Sequence, residues 1–142
     1  MVSGIRWGRV VAAAVLSEVG VIAILLLVIT IYSRAIAPGM SDAEYQTLGA
    51  RAGYYVAPAA GFVTTVLMVL WLGRKLESRF IANGVMVGVV SVVITSAFFF
   101  MARPEDRLMY GVAFVLRLAA GYVGGLLAQK RFGSRYTSAI PV

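Results

Sequence analysis

Residues 10–32 read VVAAAVLSEVGVIAILLLVITIY and contain one charged side chain, that of Glu18. At about 1.5 Å of rise per residue, a helix over this stretch is long enough to cross a hydrocarbon layer of about 30 Å. Lipid offers the backbone no hydrogen-bond partner, so the stretch predicts a membrane-spanning helix rather than a barrel strand. It is also longer than the roughly 7 to 15 apolar residues of a cleaved signal sequence, and we expect it to be retained.

Three similar apolar stretches follow, at residues 54–73, 81–101 and 108–128. The whole chain of 142 residues is 61% apolar and 13% charged. Soluble domains contain about 45–50% apolar and about 25% charged residues, so an ordinary soluble domain is excluded. The sequence predicts an all-α membrane protein, in which residues 1–142 form one transmembrane domain with the architecture of an antiparallel four-helix bundle. Residues 129–142 are expected to form a basic cytoplasmic tail.

Basic residues are distributed unevenly between the two sets of connections. One side would carry eight of them, namely Arg6, Arg9, Arg74, Lys75, Arg79, Lys130, Arg131 and Arg135. The other side would carry four, namely Arg34, Arg51, Arg103 and Arg107. The positive-inside rule therefore predicts that both termini are cytoplasmic. Basic residues just beyond helix ends also favour contact with anionic lipids at the cytoplasmic face, and we expect no binding of nucleic acid.

The residue types present exclude several kinds of chemistry. The chain contains no histidine and no cysteine. A thiol nucleophile, a disulfide, an imidazole base and the usual ligand sets of zinc and haem are therefore excluded. We predict no catalytic residue, no metal site and no cofactor, and we expect a function that is not enzymatic.

The longest connection precedes the second predicted span and contains the sequence SDAE at residues 41–44. Ser41 and Glu44 have the spacing of a capping box, in which each side chain bonds the backbone amide of the other residue. We predict a short amphipathic helix over residues 41–52 in this outer connection. Two roles stay open for it, a solvated connector between two spans and a docking surface for a partner.

Glycines recur at helical spacing in three of the predicted spans. They are Gly61 in the second span, Gly84 and Gly88 in the third, and Gly121 and Gly125 in the fourth. Small residues let helix backbones approach closely in lipid, so we expect these positions to lie in helix–helix contacts. The spacing favours contacts inside one chain and leaves contacts between the copies of a homo-oligomer open.

Glu18 and Arg117 are the charged residues that lie well inside predicted spans. An unpaired arginine at mid-bilayer costs about 2.5 to 3.5 kcal/mol on insertion scales. The fourth span has few strongly apolar residues to offset this cost, so we expect Arg117 to pair with Glu18. Gly121 and Gly125 share the helical face of Arg117, and this narrow face is expected to pack against the first span.

The Glu18 segment carries a family resemblance. Residues 16–20, LSEVG, resemble the segment around the membrane-embedded glutamate of small multidrug resistance transporters. This resemblance implies a four-span dimer that exchanges protons for cationic compounds. Residues 5–10, IRWGRV, resemble the start of uncharacterised four-span bacterial proteins. The second resemblance implies that the protein lies in the bacterial inner membrane.

Two functions are compatible with these observations. The first is a structural or accessory subunit, either in a homo-oligomer or in a larger membrane complex, in which Glu18 and Arg117 fix the helix packing. The second is a small-solute or proton-coupled transporter or channel that uses the same two residues. Its polar path would follow Ser17, Ser91 and Thr95, which are hydroxyl residues of the first and third spans.

Overall fold

The computed structural model describes residues 4–134, apart from the side chain of Glu105. Its four long helices are α1 (Trp7–Ile31), α2 (Asp42–Gly73), α3 (Phe80–Met101) and α4 (Arg107–Phe132). Each of them is long and apolar enough to cross a membrane. No strand occurs in residues 4–134. The predicted all-α architecture with four membrane-spanning helices is confirmed.

The helices are longer than the apolar stretches that predict them. A π-helical turn, Tyr32–Ile36, continues α1, and a short 3₁₀ turn, Pro104–Asp106, leads into α4. At its other end α4 runs through Lys130 and Arg131, basic residues that suit the negative end of a helix dipole. The beginning of the predicted tail is therefore helical, and residues 135–142 of that tail lie outside the described residues.

The capping box forms at the start of α2. Ser41 Oγ accepts a hydrogen bond from the Glu44 amide at 3.4 Å, and Glu44 Oε2 accepts one from the Ser41 amide at 2.7 Å. The helix that begins here differs from the predicted short one, because it continues without a break to Gly73. Glycines at positions 49 and 53 lower helix propensity but keep their backbone hydrogen bonds, so they do not separate the outer helix from the span.

The contacts between the helices show which of them lie side by side. α1 and α2 form one antiparallel hairpin, and α3 and α4 form another. The hairpins meet through a close contact of α2 with α4 and a smaller contact of α1 with α3. Since neither α1 with α4 nor α2 with α3 packs extensively, each of these two pairs lies across a diagonal of the bundle.

Four of the five singled-out glycines lie between α3 and α4. The backbones of Gly84 and Gly121 are in direct contact. A Cβ atom on Gly88 would lie 2.7 Å from the Arg117 carbonyl oxygen, and one on Gly125 would lie 2.7 Å from Ile81 Cα. The expectation that this face of α4 packs against the first span was wrong. Because both α3 and α4 carry glycines at this contact, their backbones approach each other more closely than the backbones of α1 and α4 would. This face therefore packs against α3.

The end of the bundle formed by the start of α1, the α2–α3 connection and the end of α4 is called the basic end. Its core contains Val10, Leu76, Phe80 and Phe132, all at most 5% exposed. Asn83 is fully buried there, accepting from the Arg6 amide at 3.0 Å. The basic end is thus tightly packed, and the start of α1 is tied to α3.

Candidate functional site

Glu18 and Arg117 form an ion pair across the diagonal between α1 and α4. Arg117 Nη2 donates to Glu18 Oε2 at 2.8 Å, and Arg117 Nη1 donates to Glu18 Oε1. The side chain of Arg117 is 5% exposed and that of Glu18 is 20% exposed. The predicted pairing of these two residues is confirmed, with the two-pronged geometry in which arginine binds carboxylates most strongly.

Glycines on two helices make room for Arg117. A Cβ atom on Gly61 of α2 would lie 3.2 Å from Arg117 Nη2 and 3.3 Å from its Cζ. Gly88 of α3 lies against the Arg117 backbone carbonyl. The glycine spacing predicted a helix–helix contact at Gly61, whereas the structure places the guanidinium group of Arg117 beside it. The spacing of Gly61 gave no indication of this role, because its neighbour lies on another helix.

Hydroxyl groups join α1 to α2 next to the ion pair. Ser17 Oγ lies 3.0 Å from the hydroxyl oxygens of both Thr64 and Thr65, and Thr64 donates to the Ala60 carbonyl at 2.8 Å. Because each hydroxyl has one proton, Thr65 donates to Ser17, and Ser17 donates to Thr64. Ser17 is therefore engaged in holding two helices together. The sequence pattern did not predict the two threonines as its partners.

The two other hydroxyl residues of the predicted polar path lie on α3. Thr95 donates to the Ser91 carbonyl oxygen at 2.8 Å, and its hydroxyl lies beside the Glu18 carboxylate. Ser91 is fully buried, and its Oγ bonds no atom of the described residues. The structure brings Thr95 to the ion pair and to the cavity described below. A continuous path past all three hydroxyl residues stays a prediction.

A cavity of about 390 Å³ lies in the half of the bundle away from the basic end. Arg117 and Thr95 line it, and so do Ala50 and Asp106, which lie near the helix ends. Between them the walls are formed mainly by residues of α2 and α4, among them Gly53, Ala57, Pro58, Met109, Tyr110 and Ala113. The cavity therefore extends from the helix ends opposite the basic end to the centre of the bundle.

The cavity lies between residues of α2 and α4 on one side of Arg117. On the side of the basic end the two helices touch, since a Cβ atom on Gly124 would lie 2.8 Å from Val69 Cβ. On the other side, Pro58 lines the space between them. Proline has no amide hydrogen, so the carbonyl of Tyr54 loses the donor that an unbroken helix would supply.

No group of three or more His, Cys, Asp and Glu side chains in the described part of the chain is arranged to hold a metal ion. The polar groups at the bundle centre are the Glu18–Arg117 pair and neighbouring hydroxyls.

Comparisons with known proteins give no family assignment. No protein-family model, no curated protein and no solved structure matches this chain.

Proposed function

We propose that this chain is a non-enzymatic integral membrane protein that acts as a structural or accessory subunit. The observation that carries the proposal is the Glu18–Arg117 pair, in which each carboxylate oxygen accepts from a different guanidinium nitrogen. An ion pair with this two-pronged geometry ties two helices that make no extensive packing contact with each other. The pair thus fixes the position of α1 relative to α4. A structural subunit needs such a fixed arrangement because it presents a constant surface to its partner.

The proposed location is the bacterial inner membrane, with both termini in the cytoplasm. The excess of basic residues at the basic end supports this orientation through the positive-inside rule. Arg9 and Lys75 belong to this end, where Arg9 Nη1 donates to the Lys75 carbonyl oxygen at 2.8 Å. Anionic lipid head groups would contact these cations, and each contact contributes about 1 kcal/mol.

Isolation of the assembly from its native membrane tests the subunit proposal. The tagged chain is extracted in mild detergent, and the mass and composition of the purified particle are measured. We expect a stoichiometric assembly, either a homo-oligomer or a complex with another membrane protein. A double variant, Glu18→Leu with Arg117→Met, should keep the same assembly if the pair acts only on helix packing. A monomer without partners would contradict the proposal.

A small-solute or proton-coupled transporter is the second candidate, and the one-sided cavity favours it. The space reaches Arg117 from the end opposite the basic end, whereas glycine contacts close the bundle on the other side. A site that is reached from one side at a time is what alternating access requires.

Proton flux into liposomes tests the transporter. The chain is reconstituted into liposomes that enclose a pH-sensitive dye, and a panel of organic cations, anions and neutral solutes is added outside. A transporter should give solute-dependent acidification or alkalinisation that the double variant, Glu18→Leu with Arg117→Met, lacks. Absence of any response across the panel would contradict proton-coupled transport and leave the subunit proposal unaffected.

A further inference from the structure

Arg117 retains N–H donors that the ion pair does not use, because a guanidinium group has five N–H bonds and the pair uses two of them. The residue is 4% exposed, and both terminal nitrogens of its guanidinium group bind Glu18. Its Nε is buried and bonds no acceptor among the described residues. A buried guanidinium donor without an acceptor lowers stability, so an acceptor atom bound beside it would be favourable. Arg117 also lines the inner end of the cavity.

The wall of the cavity is mainly apolar, with the polar side chain of Thr95 beside Arg117 at its inner end. The Tyr54 carbonyl, which Pro58 deprives of its helical donor, belongs to a residue that lines the same space. Gly53, Ala57 and Ala113 contribute only small apolar surfaces to it. A molecule in this cavity would therefore be mostly apolar, with a small number of hydrogen-bonding atoms.

The charges around the cavity favour an uncharged molecule. Glu18 already neutralises Arg117, and Asp106 places a carboxylate near the other end of the cavity, which disfavours an anion. A cation at the inner end of the cavity would meet the positive charge of Arg117 and would find both Glu18 oxygens occupied, while the Asp106 carboxylate lies at the far end. The volume of about 390 Å³ lies within the range of small-molecule sites, about 300 to 1,000 Å³.

We propose that this cavity binds a small, uncharged, lipid-soluble molecule whose carbonyl oxygen accepts a hydrogen bond from the Arg117 guanidinium group. This inference goes beyond the proposed function. It rests on the cavity and on the free donors of Arg117, and it applies equally to an accessory subunit and to a transporter.

Two glycines provide a matched pair of variants. Gly53 lines the cavity, whereas Gly111 lies on the exposed side of α4. A Cβ atom at either position would meet no atom within 4 Å. Leucine at each position adds the same side chain and a similar gain in helix propensity, but only Gly53→Leu fills the cavity. The two variants therefore separate occupation of the site from a general effect of the added side chain.

Photo-crosslinking with benzophenone tests the proposal. This molecule is uncharged, carries one carbonyl oxygen and labels methionine efficiently. The full chain in lipid nanodiscs is irradiated with the probe, and the label on each peptide is measured by mass spectrometry. Met109 lines the cavity, and Met101, which is 85% exposed and outside the lining, reports labelling from the lipid.

We expect saturable labelling of Met109 that decreases at least fivefold in Gly53→Leu and is unchanged in Gly111→Leu. Labelling of Met101 should be the same in all three proteins. Fluorenone should displace the probe from Met109 at a concentration about tenfold lower than fluorene, which has the same ring system without the carbonyl oxygen. A tenfold ratio corresponds to about 1.4 kcal/mol, a modest value for a hydrogen bond from a charged donor.

Labelling of Met109 that neither saturates nor responds to Gly53→Leu would overturn the proposal of a site. Equal competition by fluorenone and fluorene would overturn the role of the Arg117 donor. This competition uses the unmodified chain, so it decides the question even if a variant folds poorly.

Discussion

Replacing Glu18 or Arg117 alone should destabilise the bundle, and the two losses should differ because the two side chains are buried to different extents. Glu18→Leu leaves Arg117, whose side chain is 5% exposed, without either of its acceptors. Arginine stays protonated, so the uncompensated charge remains, and we expect a loss of about 3–5 kcal/mol in the free energy of unfolding.

Arg117→Met leaves Glu18, whose side chain is 20% exposed and lies beside the Thr95 hydroxyl. A carboxylate can become neutral by binding a proton, and methionine keeps apolar contact with Gly61. The expected loss is therefore smaller, about 1–3 kcal/mol.

The double variant should recover much of the lost stability. Replacing a buried ion pair by apolar side chains of similar size is often neutral or stabilising, so we expect a value within about 1 kcal/mol of the unmodified chain. The lower limits of the single losses sum to about 4 kcal/mol, and subtracting about 1 kcal/mol leaves a coupling energy of at least about 3 kcal/mol.

The assay is unfolding by titration with SDS in mixed micelles, followed by the near-ultraviolet circular dichroism of the folded bundle. Gly111→Leu, on the exposed side of α4, serves as a control for an added apolar side chain. Additive losses in the double variant would refute the coupling. A greater loss in Arg117→Met than in Glu18→Leu would refute the argument from burial.

Three further predictions concern topology, helix packing and capping. In intact cells, a membrane-impermeant maleimide should label Ser41→Cys and leave Ser134→Cys unlabelled; labelling of Ser134→Cys alone would invert the proposed orientation. Gly121→Leu should lower the melting temperature in detergent strongly because its backbone contacts Gly84, whereas Gly111→Leu should have little effect; equal melting temperatures would contradict the α3–α4 contact. Ser41→Ala should cost about 1 kcal/mol locally by removing the cap, measured as faster amide hydrogen exchange in the first turn of α2; unchanged exchange would contradict the capping contribution.

Several features of the protein follow from local physical constraints and were predictable from the sequence. Residues 10–32 must form a helix if they cross lipid, because a helix is the structure in which a single segment hydrogen-bonds its own backbone groups. The Ser41 capping box depends on contacts within one helical turn, and it forms as predicted. The pairing of Glu18 with Arg117 was predictable because an unpaired charge in an apolar environment is costly and few partners exist.

The neighbours of each helix were not predictable in the same way. In lipid, apolar side chains on all sides of a helix are equally well solvated, so hydropathy does not distinguish a face that packs from one that contacts lipid. The association of the α4 glycines with α3 depends on matching glycines at Gly84 and Gly88, which only the assembled backbones reveal. The diagonal placement of the ion pair follows from that packing.

The cavity likewise depends on the assembled bundle. Pro58 and the small residues Gly53 and Ala57 are visible in the sequence, and each is compatible with close packing or with open space. Whether space remains there depends on the separation of α2 from α4, which is set by contacts further along both helices, such as that of Gly124 with Val69. Residues distant in sequence thus determine the shape of the site, because helices behave as stiff bodies whose separation at one end follows from their contact at the other.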